Sequence, residues 1–154
     1  MNMRRHMHTA LEGIATWRGD AAYERLRLST VWNARTPERF PEVIIRAGSE
    51  QDVVRAVSFA RSADLKIAVR GSGHSWIGSP LRDGGMLIDL SQLRELSIDP
   101  AARTAALQPA VTGRESLAAL EGHGLAFPTG HCPTDPGSFW SPEDGSICEI
   151  VASS

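Results

Sequence analysis

The stretch from Ile67 to Ile77, Ile-Ala-Val-Arg-Gly-Ser-Gly-His-Ser-Trp-Ile, limits the possible folds more than any other part of the chain. Ile67 to Arg70 reads as a short buried strand. It runs straight into Gly71-Ser72-Gly73, a turn with almost no side chain, and His74 follows at once. Glycine tolerates positive φ and lets the backbone approach a ligand closely. Successive amides in such a turn can converge on an anion, typically a phosphate. Arg70 adds a positive charge at the rim, and Ser75 completes the turn. The expectation is a phosphate cradle with an imidazole fixed beside it. It is not a Walker loop, because the Gly-Lys-Ser/Thr ending is missing. Nor is it the dinucleotide fingerprint, because the third glycine is out of place.

The residues before the turn set its topology. Val43-Ile44-Ile45 reads as a strand. Ser49 is a good N-cap for the helix that follows, with Asp52 three residues on. Val53, Val54, Val57 and Ala60 fall at helical spacing and predict its buried face. Asp64-Leu65 ends it. Strand, helix and strand in this order predict a right-handed crossover, with Val43–Arg46 and Ile67–Arg70 parallel and side by side.

Upstream, Asp20 is the expected N-cap of a short helix over Ala21–Leu28. Trp32-Asn33, Thr36-Pro37 and Phe40-Pro41 then break regular structure. They predict an arm lying on the domain with Trp32 tucked in. His6 and His8 fall in a ragged N-terminus, where a solvated pair is the simpler reading. Downstream, Pro80–Gly85 is a loop and Met86–Leu90 an apolar strand. Leu93–Ile98 and Thr104–Leu107 flank the turn-forming run Asp99-Pro100-Ala101-Ala102 and read as a hairpin. Thr112 and Glu115 make a capping box for a helix that Gly122 and Gly124 stop. His123 reads as a C-terminal helix residue. After Thr134 the chain turns rich in Pro, Gly, Ser and acid, and only Ile147–Val151 reads as a strand.

Composition narrows the function classes. The chain has 154 residues, 42% of them hydrophobic, enough for one ordinary core or two small lobes sharing a ligand. The net charge of -2 gives no general pull toward nucleic acid or an acidic membrane, so neither is expected as a partner. The two cysteines, Cys132 and Cys148, form no CxxC pair and suggest no disulfide scaffold. No apolar run reaches the length of a membrane span. Glu12 interrupts what would be the apolar core of a signal peptide. A cytoplasmic location is the expectation.

Arg-Gly-Ser-Gly-His-Ser at 70–75, Asp-Gly-Gly-Met-Leu-Ile-Asp-Leu-Ser at 83–91 and Gly-Leu-Ala-Phe-Pro-Thr-Gly-His-Cys-Pro-Thr at 124–134 occur in this order. Together they resemble flavoproteins of the vanillyl-alcohol oxidase and p-cresol methylhydroxylase (PCMH) type, nearest to the berberine-bridge-enzyme-like oxidases. The arm at 32–41 and the Ser49–Ala63 helix also fit. The resemblance covers about residues 18–134.

It implies an α+β, two-lobed FAD-binding domain of the PCMH type, with the cofactor between the lobes. Residues 1–37 would be an N-terminal arm and 38–134 the FAD-binding domain. Lobe one would take about 38–92 and a partial lobe two 93–134, with 135–154 a divergent tail. Arg70, Gly71, Ser72, Gly73, His74 and Ser75 match the turn that holds the FAD pyrophosphate. His74 matches the histidine bonded to the 8α-methyl carbon of the flavin. Cys132 matches the cysteine that bonds flavin C6 in bicovalent members. Zinc held by His74, His131 and Cys132 is a competing reading, but no ligand pair has structural-zinc spacing.

The match stops at Asp135, where the family continues into a Gly-rich stretch and then a separate substrate domain. The second lobe is therefore expected to be incomplete and the substrate domain absent, as in a truncated or frame-shifted reading frame. The single tyrosine, Tyr23, matches no catalytic position of the family. An FAD-linked oxidoreductase, a flavin- or nucleotide-binding stub without turnover, and an inactive fragment are the three functional expectations, with a small-molecule substrate that the sequence does not name.

Overall fold

Strands β2 (Val43–Arg46) and β4 (Met86–Asp89) are buried over nearly their whole length, on both faces. This is what a parallel pair covered by helices on either side requires. The computed structural model describes residues 11–71 and 73–127, together with the backbone of 148–149 and 151–152. The chain divides into two units, Met1–Gln92 and Leu93–Ser154.

In the first unit, four strands lie in the order β1-β2-β4-β3. β1 (Ala15–Trp17) runs antiparallel to β2, while β2 and β3 (Ile67–Arg70) each run parallel to β4. The crossover expectation is corrected on one point. β2 and β3 are parallel but not neighbours, because β4 inserts between them. The reason lies in the apolar content of the strands. Met-Leu-Ile in β4 can be buried on both sides, whereas Arg70 and the small Ala68 suit an edge. β3 is accordingly not a buried strand: Ile67 and Val69 are 38% and 54% exposed.

Alternation along β2 and β4 feeds two cores. Val43, Ile45, Met86 and Ile88 face helix α2 (Glu50–Ser62) and pack with Ala56, Phe59, Ala60 and Leu11. Ile44 and Leu87 face the opposite side and pack with Tyr23, Val31 and Leu81. The α2 face differs from the expected one. Val53 and Ala60 do pack inward, but Val54 and Val57 are exposed, and Ala56 and Phe59 take their place. Phe59 brings the larger apolar surface, and its ring meets that of Trp17 edge-on at 6.0 Å. The Ser49 cap forms as expected, its side chain accepting from the Asp52 amide.

Helix α1 (Tyr23–Ser29) is one residue longer at its end and starts later than its sequence suggested, with Ala22 as N-cap. Asp20 instead closes a turn: its carboxylate accepts from the Trp17 amide. The segment that follows is tied down by α1. Tyr23 donates its hydroxyl to the Pro41 carbonyl at 2.6 Å. Arg27, itself buried, donates to the Pro37 and Arg39 carbonyls, pairs with Glu24 and lies over the Phe40 ring. Part of the expected arm is thus built into the sheet and its cover.

In the second unit, β5 (Leu96–Asp99) and β6 (Thr104–Leu107) form the expected antiparallel hairpin. Asp99 accepts from the Ala101 and Ala102 amides and closes the turn. α3 (Gly113–Glu121) carries the full capping box between Thr112 and Glu115. Leu120 packs with Ala105 and Leu125. Two short pairings complete the unit: β8 (Cys148–Glu149) on β6, and β9 (Val151–Ala152) on β7 (Leu125–Ala126).

Candidate functional site

Arg46, Asp89 and Arg70 end their parallel strands in register, with Asp89 between the two arginines. The carboxyl ends of parallel strands are the usual place for a ligand in such a sheet. The glycine turn leaves from here.

Arg70 does not present a bare charge at the rim. Its guanidinium pairs with Asp89 at 2.7 Å, and its Nε donates to the Thr30 carbonyl at 3.2 Å. Both side chains are largely buried, 12% and 4% exposed. Asp89 also accepts from the Ser91 amide. The result is a charged plate beneath the turn. Gly73 rests directly on it with φ +82°, and a Cβ there would come within 2.7 Å of the Arg70 Nε and Nη2 and 2.8 Å of the Thr30 carbonyl oxygen. The glycine at 73 is therefore demanded from below, by the protein, as well as by its backbone angle.

Above the plate, residues 73–77 run without regular structure. Among the described residues, the amides of Gly73, Ser75, Trp76 and Ile77 donate to no protein acceptor. Three carbonyls of the same stretch are used. Trp76 O accepts from Asn33 Nδ2 at 3.1 Å, Ile77 O from Arg39 Nη2 at 2.5 Å, and Ser75 O from the Gly78 amide. The Ser75 hydroxyl is engaged too, accepting from the Ser79 amide and sharing a hydrogen bond with the Ser79 hydroxyl. Carbonyls held inward and amides left open match the demands of a bound diphosphate, so the turn fits the group that the sequence expectation assigns to it. Gly71 is half-buried where the turn leaves β3, while Ser72 and Cys132, also part of that expectation, lie outside the described residues. So do His131 and the tail, apart from the backbone of 148–149 and 151–152.

His74 is half-buried, and its ring stacks on Trp32, with centroids 5.8 Å apart and planes 24° from parallel. Trp76 meets Trp32 edge-on at 4.8 Å. Trp32 is not tucked in, as its sequence context suggested. It is 51% exposed, and Trp76 is 69% exposed. The residues missed by sequence reasoning are those that hold the turn: Thr30, Trp32, Asn33, Arg39 and Asp89. For Asp89 a signal existed, a carboxylate closing an apolar strand. For the others the partner lies about forty residues away, and nothing local announces it.

A cleft of about 510 Å³ opens on the α1 side of the same strand ends. Arg25, Ser29, Arg46, Arg70 and Asp89 line it, but His74 does not. Chemistry, not cleft size, thus picks out the turn. Among the described residues, no cluster of three His, Cys, Asp or Glu side chains could hold a metal ion, and no helix is long and apolar enough to cross a membrane.

Comparison with known proteins agrees with the geometry. A family model described as FAD binding domain matches residues 41–138. The chain is 34% identical over 119 residues to an FAD-linked oxidoreductase, ptmO, of Penicillium ochrochloron, covering 77% of this chain and 26% of that protein. Among solved structures, 6-hydroxy-D-nicotine oxidase from Arthrobacter nicotinovorans matches with a TM-score of 0.71 and 28% identity, over 82% of this chain and 27% of the other. The berberine-bridge-enzyme-like protein 1 of Physcomitrella patens matches with a TM-score of 0.72 and 26% identity, over 85% and 28%. The chain thus spans about a quarter of the length of the relatives it matches.

Proposed function

The chain belongs to the FAD-binding domain family of the PCMH-type, berberine-bridge-enzyme-like flavoproteins, and we propose that it supplies the cofactor-holding part of an FAD-dependent oxidoreductase. In this reading the amides of residues 71–77 receive the FAD diphosphate. His74 bonds the 8α carbon of the flavin, and Cys132 offers a second attachment at C6. Arg70 acts through the turn it supports, not through contact with the phosphates. Bound FAD would supply the hydride acceptor; the protein would bind and orient it.

The observation that carries the reading is the set of amides at Gly73, Ser75, Trp76 and Ile77 that have no acceptor among the described residues, next to an imidazole stacked on Trp32. At the buried Gly73 and the half-buried Ser75 a donor without an acceptor is costly, and a dianionic ligand relieves that cost; the amides of the exposed Trp76 and Ile77 are open to solvent and to a ligand alike.

A flavin-binding stub without turnover is the second reading; in this chain Tyr23 is held for structure, its hydroxyl donating to the Pro41 carbonyl from a buried site. Incubating the purified full chain with FAD tests both. Colour that survives acid precipitation in the wild type, and becomes acid-releasable in His74→Ala, supports covalent attachment at His74. Acid-stable colour in His74→Ala would remove that residue from the role. A wild type that takes up no flavin at all would defeat the FAD reading. Reduction of bound flavin by no alcohol or amine donor, with colour retained, would favour the stub.

A further inference from the structure

The segment from Thr30 to Arg39 is fastened to the segment from Arg70 to Gly78 at successive points. Arg70 Nε meets Thr30 O, Trp32 stacks on His74, Asn33 Nδ2 meets Trp76 O, and Arg39 meets Ile77 O. At Gly78 the fit is tight, since a Cβ there would lie 2.9 Å from Pro37 Cγ. The Asn33 side chain is used at both ends, its Oδ1 accepting from the Arg35 amide, which fixes the orientation of its donor. Most of these bonds hold backbone. One holds a reactive side chain: the indole of Trp32 lies against one face of the His74 imidazole.

We propose that Trp32 is a positioning residue for covalent flavin attachment, setting the orientation of the His74 ring by stacking on it. The proposal rests on the reading of His74 given above. Three features argue for it. Near-parallel rings at 5.8 Å lie within the favourable range for an aromatic pair, whereas a tryptophan placed only to fill space would be buried, and this one is half exposed. Trp32 is braced on its other side by the edge of Trp76, so the stack is held from both sides. Finally, the Thr30 carbonyl and the Asn33 side chain, on either side of Trp32, bond to Arg70 and to the Trp76 carbonyl, so the residues that flank the indole are tied to the turn.

Ring orientation matters because of the chemistry. Attachment forms one bond between an imidazole nitrogen and the 8α carbon. It releases the imidazole N–H proton and one methyl proton and leaves two electrons on the flavin, which dioxygen removes as hydrogen peroxide. The attacking nitrogen must therefore point at one carbon atom, and small errors of aim are expensive in such a step.

Two measurements on the full chain test this. Without flavin, a proton resonance of the His74 ring, assigned by its loss in His74→Ala, is expected to be shifted by the indole ring current in the wild type and to return to its ordinary position in Trp32→Ala. With FAD, acid-stable flavin is expected to form about tenfold more slowly in Trp32→Ala, the worth of one aromatic pair. The slowing should persist at saturating FAD, where binding no longer limits the rate, and Trp32→Phe should recover most of it. An unshifted His74 resonance in the wild type would overturn the proposal. Equal rates in wild type and Trp32→Ala would overturn it alone and leave His74 as the attachment site. No acid-stable flavin in the wild type would overturn the attachment reading, and this proposal with it.

Discussion

Replacing Gly73 by alanine should unfold the first unit far more readily than the same change at Gly84, and the difference measures the plate beneath the turn. Both glycines have positive φ, +82° and +67°. Forcing an L-residue into that region costs about 1–2 kcal/mol. At Gly84 nothing lies within 4 Å of the new Cβ, so the backbone term is the whole effect. At Gly73 the new Cβ falls about 0.7 Å short of ordinary contact distance from the Arg70 guanidinium. The guanidinium has little room to retreat, since one nitrogen is bonded to Asp89 and another to Thr30 O. Thr30 O is main chain just past the end of α1, and it cannot yield cheaply. Giving up one charged hydrogen bond adds roughly 1.5–3 kcal/mol. The expected loss is therefore about 3–5 kcal/mol for Gly73→Ala, against about 1–2 for Gly84→Ala. Urea unfolding followed by tryptophan fluorescence reads this as a midpoint lower by about 1 M or more for Gly73→Ala relative to Gly84→Ala. Equal midpoints for the two variants would refute the reasoning, because they would mean that the guanidinium does not press on the turn.

Tyr23→Phe should cost about 1–2 kcal/mol, because it leaves the buried Pro41 carbonyl without its 2.6 Å donor; an unchanged urea midpoint would count against that bond. Thr112→Ala should lower the stability of the second unit by about 1 kcal/mol through loss of the α3 cap, visible as a lower thermal midpoint. Glu115 is held down to about 2 by hydrogen bonds from Thr112, from its hydroxyl and its backbone amide, and then by Arg94. A depressed folded value means that this contribution is present above the ordinary carboxylate range near 4.5 and is lost as pH falls from there toward about 2. Glu115→Gln should flatten that part of the acid-unfolding profile, and 0.5 M salt should weaken only the Arg94 share, because the pair is about half exposed.

Sequence spoke clearly where the requirement was local. Ser49 and Thr112 were legible as caps because a cap needs a side-chain oxygen three residues before a free amide. The hairpin was legible because Asp99 bonds its own turn. The glycine turn was legible because its backbone demands are written in the residue type. What failed was arbitration between equivalent patterns. Val54 and Val57 have helical spacing, but Phe59 and Ala56 offered the better match to the sheet. β1 is three residues long, too short to show a period. The place of β4 between β2 and β3 depends on which strand can afford burial on two faces, a comparison across strands that no single window contains. The grip of Thr30, Trp32 and Asn33 on residues 70–76 was invisible for the same reason.

The edge position of β3 has a consequence of its own. Among the described residues this strand has a partner on one flank only, and Ile67 and Val69 stand outside beside the open one. Such a flank invites any extended peptide to zip onto it. Wherever that flank stays uncovered, the strand that delivers the glycine turn is also a template on which another extended segment can add.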